Sequence, residues 1–336
     1  MSPTVSVIVP ARNEEDCLGY CLESLVTQAD VTFEIIVVDD RSTDRTREIA
    51  RSFNGVRVIE ADPLLEGWTG KCNAAACGSR IAQGTWLLFT DADTVHQPGS
   101  LARALYEVEQ QKAALLSYSP KQEVHSLLEK AVMPVIFAEL ASRYRPEDVS
   151  DPASSVAAAN GQYLLISREA YDAVGGHAAV AGSLLEDVEL ARLVKQSGRR
   201  IFFRQGGEQV RTRMYRSAPQ LVEGWTKNLV LLFDNPRWLA VLRFVEFLGI
   251  AGSGCLAIAA ALRSNRGLAL WMAFVFVLLA TLLLRRIRRA QFAVDATLLA
   301  VFGLPIFSYL LWRSVISYKR GKVAWKGRNY ARSEAS

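Results

Sequence analysis

Apolar positions fall into two regimes along this chain. Up to about residue 225, short apolar runs alternate with polar turns and with segments of helical spacing; from about Trp238 to Ser317 the chain is strongly apolar, broken by short basic clusters. In the first regime Val5–Pro10 ends at a proline, as a buried strand does, and Ala11–Glu15 leads into a helix with Leu18, Cys21, Leu22 and Leu25 on one face. Glu34–Asp40 is continuously apolar before its two carboxylates, which predicts a parallel strand covered on both sides. Ser42-Thr43-Asp44 supplies N-cap types for a second helix, and Val56–Ile59 predicts a third strand. A small-residue helix is expected over about Lys71–Ala82, with Gly84 as its C-terminal stop, and Trp86–Phe89 as a fourth strand. Such β-α alternation predicts an open parallel sheet with right-handed crossovers, and ligands in such sheets bind beyond the carboxyl ends of the strands. Three of those ends carry polar clusters: Arg12-Asn13-Glu14, Asp39-Asp40 and Asp91-Ala92-Asp93.

Val124–Ala141 has an apolar face of Leu127, Leu128, Ala131, Val132, Val135 and Ile136, with Pro134 expected to interrupt it. Glu129, Lys130 and Glu139 make it a poor transmembrane span, so it reads as an in-plane helix or one packed on membrane segments. Arg143–Ala158, rich in Ser, Pro and Asp, reads as a mobile loop. Trp238–Leu262, Gly267–Leu284 and Phe292–Ile316 each approach the roughly 20 residues a span needs, and Gly303 and Pro305 are expected to bend the third. Arg243 and Glu246 fit either head-group depth or mutual neutralisation against protein. Two spans put Arg285-Arg286-Ile287-Arg288-Arg289 on the same side as the N-terminal domain, and positive residues prefer the cytoplasmic side. Three spans would put the basic tail, Lys319–Arg332, outside, against that rule; a re-entrant first segment or a returning third one are the alternatives. The expected division is 1–228 catalytic, 229–318 transmembrane and 319–336 tail.

The net charge of +5 lies largely in the membrane-proximal and tail clusters, which suits anionic lipid better than nucleic acid. The five cysteines form no C-x-x-C pair, which fits a reducing compartment and plain packing. No basic stretch followed by an apolar run precedes the first strand, so no secretory signal is expected.

Asp91 and Asp93 stand one residue apart at a strand end, and residues i and i+2 share a face. Taken alone, an acidic turn accounts for them. Beside the other two polar strand ends, and without any glycine-rich phosphate loop, the pair becomes the candidate holder of a hard divalent cation and its phosphate. Ser183-Leu184-Leu185-Glu186 matches a capping box, which gives Glu186 a structural role and leaves Asp187 unused by the cap. His96 either reaches the cation or packs under the loop, His177 follows a tight Gly175-Gly176 turn, and His125 is expected at the surface. Arg213 and Arg216 either close over a diphosphate or form a solvated basic face; Trp68 and Trp225 read as packing or interfacial anchors.

Four segments, VSVIVPARNEE, EIIVVDDRSTD, FTDAD and LLEDVELARLVKQSGRRI, resemble the family 2 glycosyltransferases in order and spacing over about Val5–Asn228. GWTGKCNA, NGQYLLISREAYDAVGGH and RMYRSAPQLVEGWTKN make the chain similar to the subgroup associated with hopanoid and carotenoid glycosylation. The resemblance implies an α/β GT-A fold, a Rossmann-like mostly parallel sheet, followed by a C-terminal helical transmembrane region. It implies that Asp39 and Asp40 read the nucleotide base, usually uracil, and that Glu14 approaches the ribose, with Pro10 and Ala11 in the same donor-binding stretch. By the same resemblance Asp91 lies near ribose and diphosphate, Asp93 coordinates Mg²⁺ or Mn²⁺, Lys71 assists the diphosphate and Asp187 is the catalytic base. The implied reaction is inverting transfer from a UDP-sugar to a membrane lipid at the cytoplasmic face. The Gln-x-x-Arg-Trp motif of processive synthases is absent. A polyprenyl-phosphate sugar transferase is the near rival, and a lipid-binding scaffold that keeps the fold is the reading from another class.

Overall fold

A computed structural model of the chain describes residues 3–330. The chain resolves into two compact units, one built from the residues up to Glu123 with Tyr144–Met214, the other from Val124–Arg143 with the residues from Tyr215 onward. The boundary expected near residue 228 therefore falls inside a helix, and the Val124–Arg143 segment belongs with the apolar helices.

The first unit runs β1 (Val5–Ala11), α1 (Leu18–Val26), β2 (Phe33–Asp39), α2 (Thr46–Arg51), β3 (Val56–Glu60), α3 (Gly70–Ile81), β4 (Trp86–Phe89), β5 (Thr94–His96), α4 (Ser100–Gln111), β6 (Leu115–Ser119) and β7 (Lys121–Gln122). The second unit contributes α5 (Leu127–Arg143), after which the first resumes with α6 (Pro146–Ser150), β8 (Leu164–Ser167), α7 (Arg168–Ala173), α8 (Glu186–Gln196), β9 (Ile201–Gln205) and β10 (Val210–Thr212). A seven-stranded sheet has the order β3-β2-β1-β4-β8-β6-β9, parallel throughout except for β8, which runs antiparallel to both neighbours. One apolar core covers each face, one built around Ile8, Ile36 and Leu87, the other around Val7, Val37 and Leu88, so alternate residues of the same central strands feed opposite cores.

Pro10 sits inside β1 rather than ending it. The Thr90 N–H bonds to Ile8 O and the Asp40 N–H to Ala11 O, so the ladder alternates between β4 and β2. Pro10 nitrogen falls on the β4 side, where the pairing has already stopped at Ile8–Phe89, so the missing N–H breaks no bond. Helix α2 starts at Thr46, later than the expected cap cluster, because Asp44 turns its carboxylate onto the Thr46 N–H at 3.0 Å. Gly84 is not a helix stop. Helix α3 ends on an extended Ala82, while a Cβ at Gly84 would lie 2.5 Å from the Ser6 nitrogen, so Gly84 permits close approach to β1.

The segment expected as a mobile loop is tied down. Val149 is fully buried, the Phe203 N–H donates to Ser150 Oγ at 3.1 Å, and Lys195 Nζ donates to the carbonyls of Val149 and Val156 at 2.7 and 2.6 Å. Its polar composition reflects backbone-directed hydrogen bonding rather than freedom.

The second unit holds α5, α9 (Ala218–Leu232), α10 (Pro236–Leu262), α11 (Arg266–Ile287), α12 (Val294–Lys319) and a short hairpin of β11 (Ala324–Trp325) and β12 (Arg328–Asn329). Helices α10, α11 and α12 are each long and apolar enough to cross a membrane. Pro134 lies within α5 without interrupting it. The helix begins instead on an unforeseen capping pair: the Glu129 N–H donates to Ser126 Oγ, and Glu129 Oε2 accepts the His125 N–H at 2.8 Å. Gly303 is a contact point: a Cβ there would collide with the Ala131 backbone of α5. Arg243, Glu246, Glu139 and Arg286 close into a ring of ion pairs: Arg243 Nε–Glu139 Oε1 2.9 Å, Arg243 Nη1–Glu246 Oε2 2.9 Å, Arg286 Nη2–Glu246 Oε2 2.8 Å and Arg286 Nε–Glu139 Oε1 3.3 Å. Arg243 and Glu246 are thus neutralised against protein. Trp225 is buried against Met133, Phe137 and Tyr215, a packing role.

Candidate active site

Strand β4 ends at Phe89, and its continuation is pinned from several sides. Thr90 Oγ1 donates to Gln162 O at 2.8 Å and therefore accepts from His96 Nε2 at 3.1 Å. Beyond the turn, β5 pairs with β10, and Thr212 Oγ1 donates to Asp93 O at 3.2 Å. His96 is thus a support under the loop: it packs on the Tyr163 ring, and burial pushes its imidazole down to about 3, so it stays neutral.

Helix α3 is capped by Thr69, whose Oγ1 accepts the Cys72 N–H at 3.2 Å, and this sets Lys71 in the first turn. A cation at a helix N-terminus is unfavourable by itself. Lys71 is held there because its Nζ lies 2.7 Å from Asp91 Oδ1 and 2.8 Å from Glu186 Oε1. Burial works against the ammonium, but Asp91, Glu186 and Asp187 outweigh it and hold it well above the usual lysine range.

The capping box expected at Ser183–Glu186 does not form. Ser183 Oγ accepts the Leu185 N–H at 3.1 Å, helix α8 has no side-chain cap, and the Glu186 carboxylate pairs with Lys71 instead. An ammonium 2.8 Å away offers Glu186 a stronger partner than its own backbone. Asp187 is the next residue. Its Oδ2 accepts the Gly161 N–H at 2.7 Å and its Oδ1 the Val188 N–H at 2.8 Å. Burial first, then the Glu186 charge, push its carboxyl up to about 6, with Lys71 opposing. Gly161 is the residue that sequence reasoning missed: a Cβ there would lie 2.7 Å from Lys71 Nζ and 3.4 Å from Asp187 Oδ2. The Asn160-Gly161 dipeptide was its only signal, a common turn pair.

Pro10, Lys71, Asp91 and Asp187 line one small cavity together with Glu186, Gly161 and His177. His177 is buried, its Nδ1 lies 2.9 Å from the Tyr171 hydroxyl, and burial pushes it down to about 4. Ala11, Glu14, Asp39, Asp40 and Asp93 lie outside that lining. Asp39 is fully enclosed: Oδ1 accepts the Ser42 N–H at 3.1 Å, and Oδ2 accepts from Arg47 Nε at 2.8 Å. Its observed work is to shape the loop after β2. Asp40 follows, its carbonyl accepting from Arg12 Nη1 at 2.7 Å. Glu14 Oε2 accepts the Cys17 thiol at 3.2 Å. His125 and Arg216 are exposed.

Among the described residues no group of three or more His, Cys, Asp or Glu side chains could hold a metal by itself. Asp93, Asp91 and Glu14 nevertheless share one neighbourhood: after burial, their charges in that order drive the Cys21 thiol far above its usual range. Their hard oxygen donors are of the kind that would hold a divalent cation together with phosphate and water.

Residues 6–175 match the model of glycosyl transferase family 2. The chain belongs to that family. It is a glycosyltransferase, and its mixed, mostly parallel sheet is the GT-A arrangement. It is 28% identical to a 4,4'-diaponeurosporenoate glycosyltransferase of Staphylococcus aureus over 344 aligned positions, covering 98% of this chain and 89% of that one. Among solved structures it is similar to a mannosyltransferase from Pyrobaculum calidifontis in complex with GDP-Man and Mn²⁺, with a TM-score of 0.55 at 18% identity over 94% of this chain and 87% of that one. A glucosyl-3-phosphoglycerate synthase from Mycobacterium tuberculosis in complex with Mn²⁺ and uridine-diphosphate overlaps less, with a TM-score of 0.43 at 21% identity, covering 65% of this chain and 75% of that one.

Proposed function

We propose that this glycosyltransferase moves a sugar from a nucleoside-diphosphate donor, with UDP-sugar first in line, to the hydroxyl of an isoprenoid or other apolar lipid. The transfer is a single displacement with inversion. The first unit, up to Glu123 with Tyr144–Met214, would carry the chemistry on the cytoplasmic side, and the apolar helices of the second would hold the membrane. The name of the Staphylococcus aureus relative, a diaponeurosporenoate glycosyltransferase, supports an apolar acceptor of the carotenoid kind.

The observation that carries the reading is Asp187. A carboxylate pushed up to about 6, fixed by two backbone N–H groups beside a lysine, suits a general base near neutral pH. The two N–H donors fix the orientation of its oxygens. Lys71 is placed to exchange its Asp91 partner for the donor diphosphate and so to balance the charge that develops as the glycosidic bond breaks. Asp93 and Asp91 would hold Mg²⁺ or Mn²⁺, which when bound supplies Lewis-acid stabilisation of the leaving diphosphate. Asp40 and Glu14 are the proposed base and ribose contacts, with Asp39 setting the loop that presents Asp40.

Asp187→Asn tests the base directly. With a lipid hydroxyl as acceptor, transfer should fall by about 10²–10⁴-fold while the variant melts like the parent. Mass spectrometry of lipid extracts from an expressing host reads the hexosylated product. Undiminished product would remove Asp187 as base and favour an acceptor that is already ionised, such as a polyprenyl phosphate.

A further inference from the structure

Three apolar helices and a basic tail present a conflict: an odd number of crossings sends the tail to the side that positive residues avoid. Distances within the second unit resolve it. Along α9 the chain advances from Thr226 to Phe233, while its partners on α12 run backwards. Ser314 Oγ donates to Thr226 O at 2.7 Å, Tyr318 OH donates to Lys227 O at 2.7 Å, and the Phe233 ring meets Phe307 at 6.1 Å. Further on, Glu246 of α10 pairs with Arg286, which stands only eight residues before the start of α12 at Val294. Helix α12 therefore starts level with the ion ring and runs back past the first turns of α10 toward α9. It does not accompany the far half of α10. That half packs against α11, with Gly249 against Leu279 and Gly254 against Phe276.

The spacing of charges on this α10–α11 pair matches a bilayer. From Arg243 to Arg263 on α10, and from Arg266 to Arg285 on α11, each helix rises about 30 Å, the thickness of the hydrocarbon core. Glu246, neutralised in the ion ring, is the only charged residue inside those stretches. The exposed apolar residues of α12, Val294, Leu298, Phe302, Tyr309, Trp312 and Ile316, fall on one narrow face at helical spacing. Its opposite face, including Ala300, Leu304, Phe307 and Leu311, is buried in protein. A helix with one apolar face to lipid and the other to protein can lie along the interface.

We infer that only α10 and α11 cross the bilayer, and that α12 returns along the face it started from, leaving the basic tail on the same side as the Arg285–Arg289 cluster. That side then carries Arg285, Arg286, Arg288, Arg289, Lys319, Arg320 and Lys322, whereas the turn between α10 and α11 carries Arg263 and Arg266. The cluster side is therefore cytoplasmic.

This rests on the membrane reading, and the test separates the two. Full-length chains carrying Cys255→Ser, and either Asn265→Cys or Lys322→Cys, are expressed in a bacterial host and treated with a membrane-impermeant maleimide. Both positions are exposed, and the other native cysteines are buried. Asn265→Cys should react in intact cells and Lys322→Cys only after permeabilisation. A fluorescent protein fused to the C-terminus should fluoresce and a fused alkaline phosphatase stay inactive, a readout independent of either cysteine variant. Reaction of Lys322→Cys in intact cells, or an active phosphatase fusion, overturns the return of α12. Release of the protein by alkaline carbonate overturns the membrane reading itself.

Discussion

Replacing Lys71 by methionine keeps the length and apolar stem of the side chain and removes only the charge between Asp91, Glu186 and Asp187. Lys71 Nζ and Asp187 Oδ2 both flank the point where a Gly161 Cβ would lie, at 2.7 and 3.4 Å, so they stand no more than about 6 Å apart. Two unit charges at that separation and an effective dielectric of 20 interact by about 3 kcal/mol, or ~2 pH units. The Lys71 side chain is 38% exposed, and solvent screening cuts this to about one unit. The sign is definite: Asp187 works as the ionised form, the cation favours that form, and its loss raises the pKa. The acid limb of kcat/KM, expected near pH 6 in the parent, should move up by about one unit in Lys71→Met. The assay is initial rate of nucleotide release against pH at saturating acceptor, with thermal melting to confirm folding. A folded variant with an unmoved acid limb would refute both the coupling and the assignment of that limb to Asp187.

Asp93→Ala should abolish turnover that depends on Mg²⁺ or Mn²⁺ and leave the melting temperature unchanged; nucleotide release that persists undiminished in EDTA would sink the metal assignment. Gly303→Ala drives a methyl into the Ala131 backbone, with the carbonyl carbon 2.6 Å away. It should cost about 1–3 kcal/mol, read as a lower melting point in detergent. Glu139→Gln leaves Arg243 and Arg286 facing a single carboxylate at a site where the Glu139 side chain is 9% exposed. A loss of about 3 kcal/mol is expected, and parent-like melting would show the ring to be ornamental.

The strand–helix order of the first β-α units was legible because buried parallel strands are continuous apolar runs and their helices keep a regular apolar face. Asp91 and Asp187 were reachable by motif, and the structure brings both to one cavity beside Lys71. What stayed hidden depended on partners distant in sequence. Glu186 reads as a cap locally, and only the approach of Lys71 reassigns it. Gly161 and Gly84 matter for what lies across from them, the Lys71 ammonium and the Ser6 backbone, and neither neighbour is readable nearby. The Asp39 carboxylate pairs with Arg47, eight residues on, a partner that the strand-end motif does not announce. The loop before β8 looked mobile because polar composition does not reveal that Lys195 straps it down. For α12 the sequence left a returning path as one of two alternatives, since hydropathy records how apolar a helix is and not which way it runs.

The ring of Arg243, Glu246, Glu139 and Arg286 has an electrical consequence. A transmembrane voltage exerts about 2.3 kcal/mol on each elementary charge per 100 mV traversed. Two positive and two negative charges bound at one depth feel forces that cancel, so energising or discharging the membrane does no net work on the ring. With α10 and α11 crossing the bilayer as inferred above, the pair would keep its register through swings in membrane potential, and a substitution that unbalances the set would make its position depend on voltage.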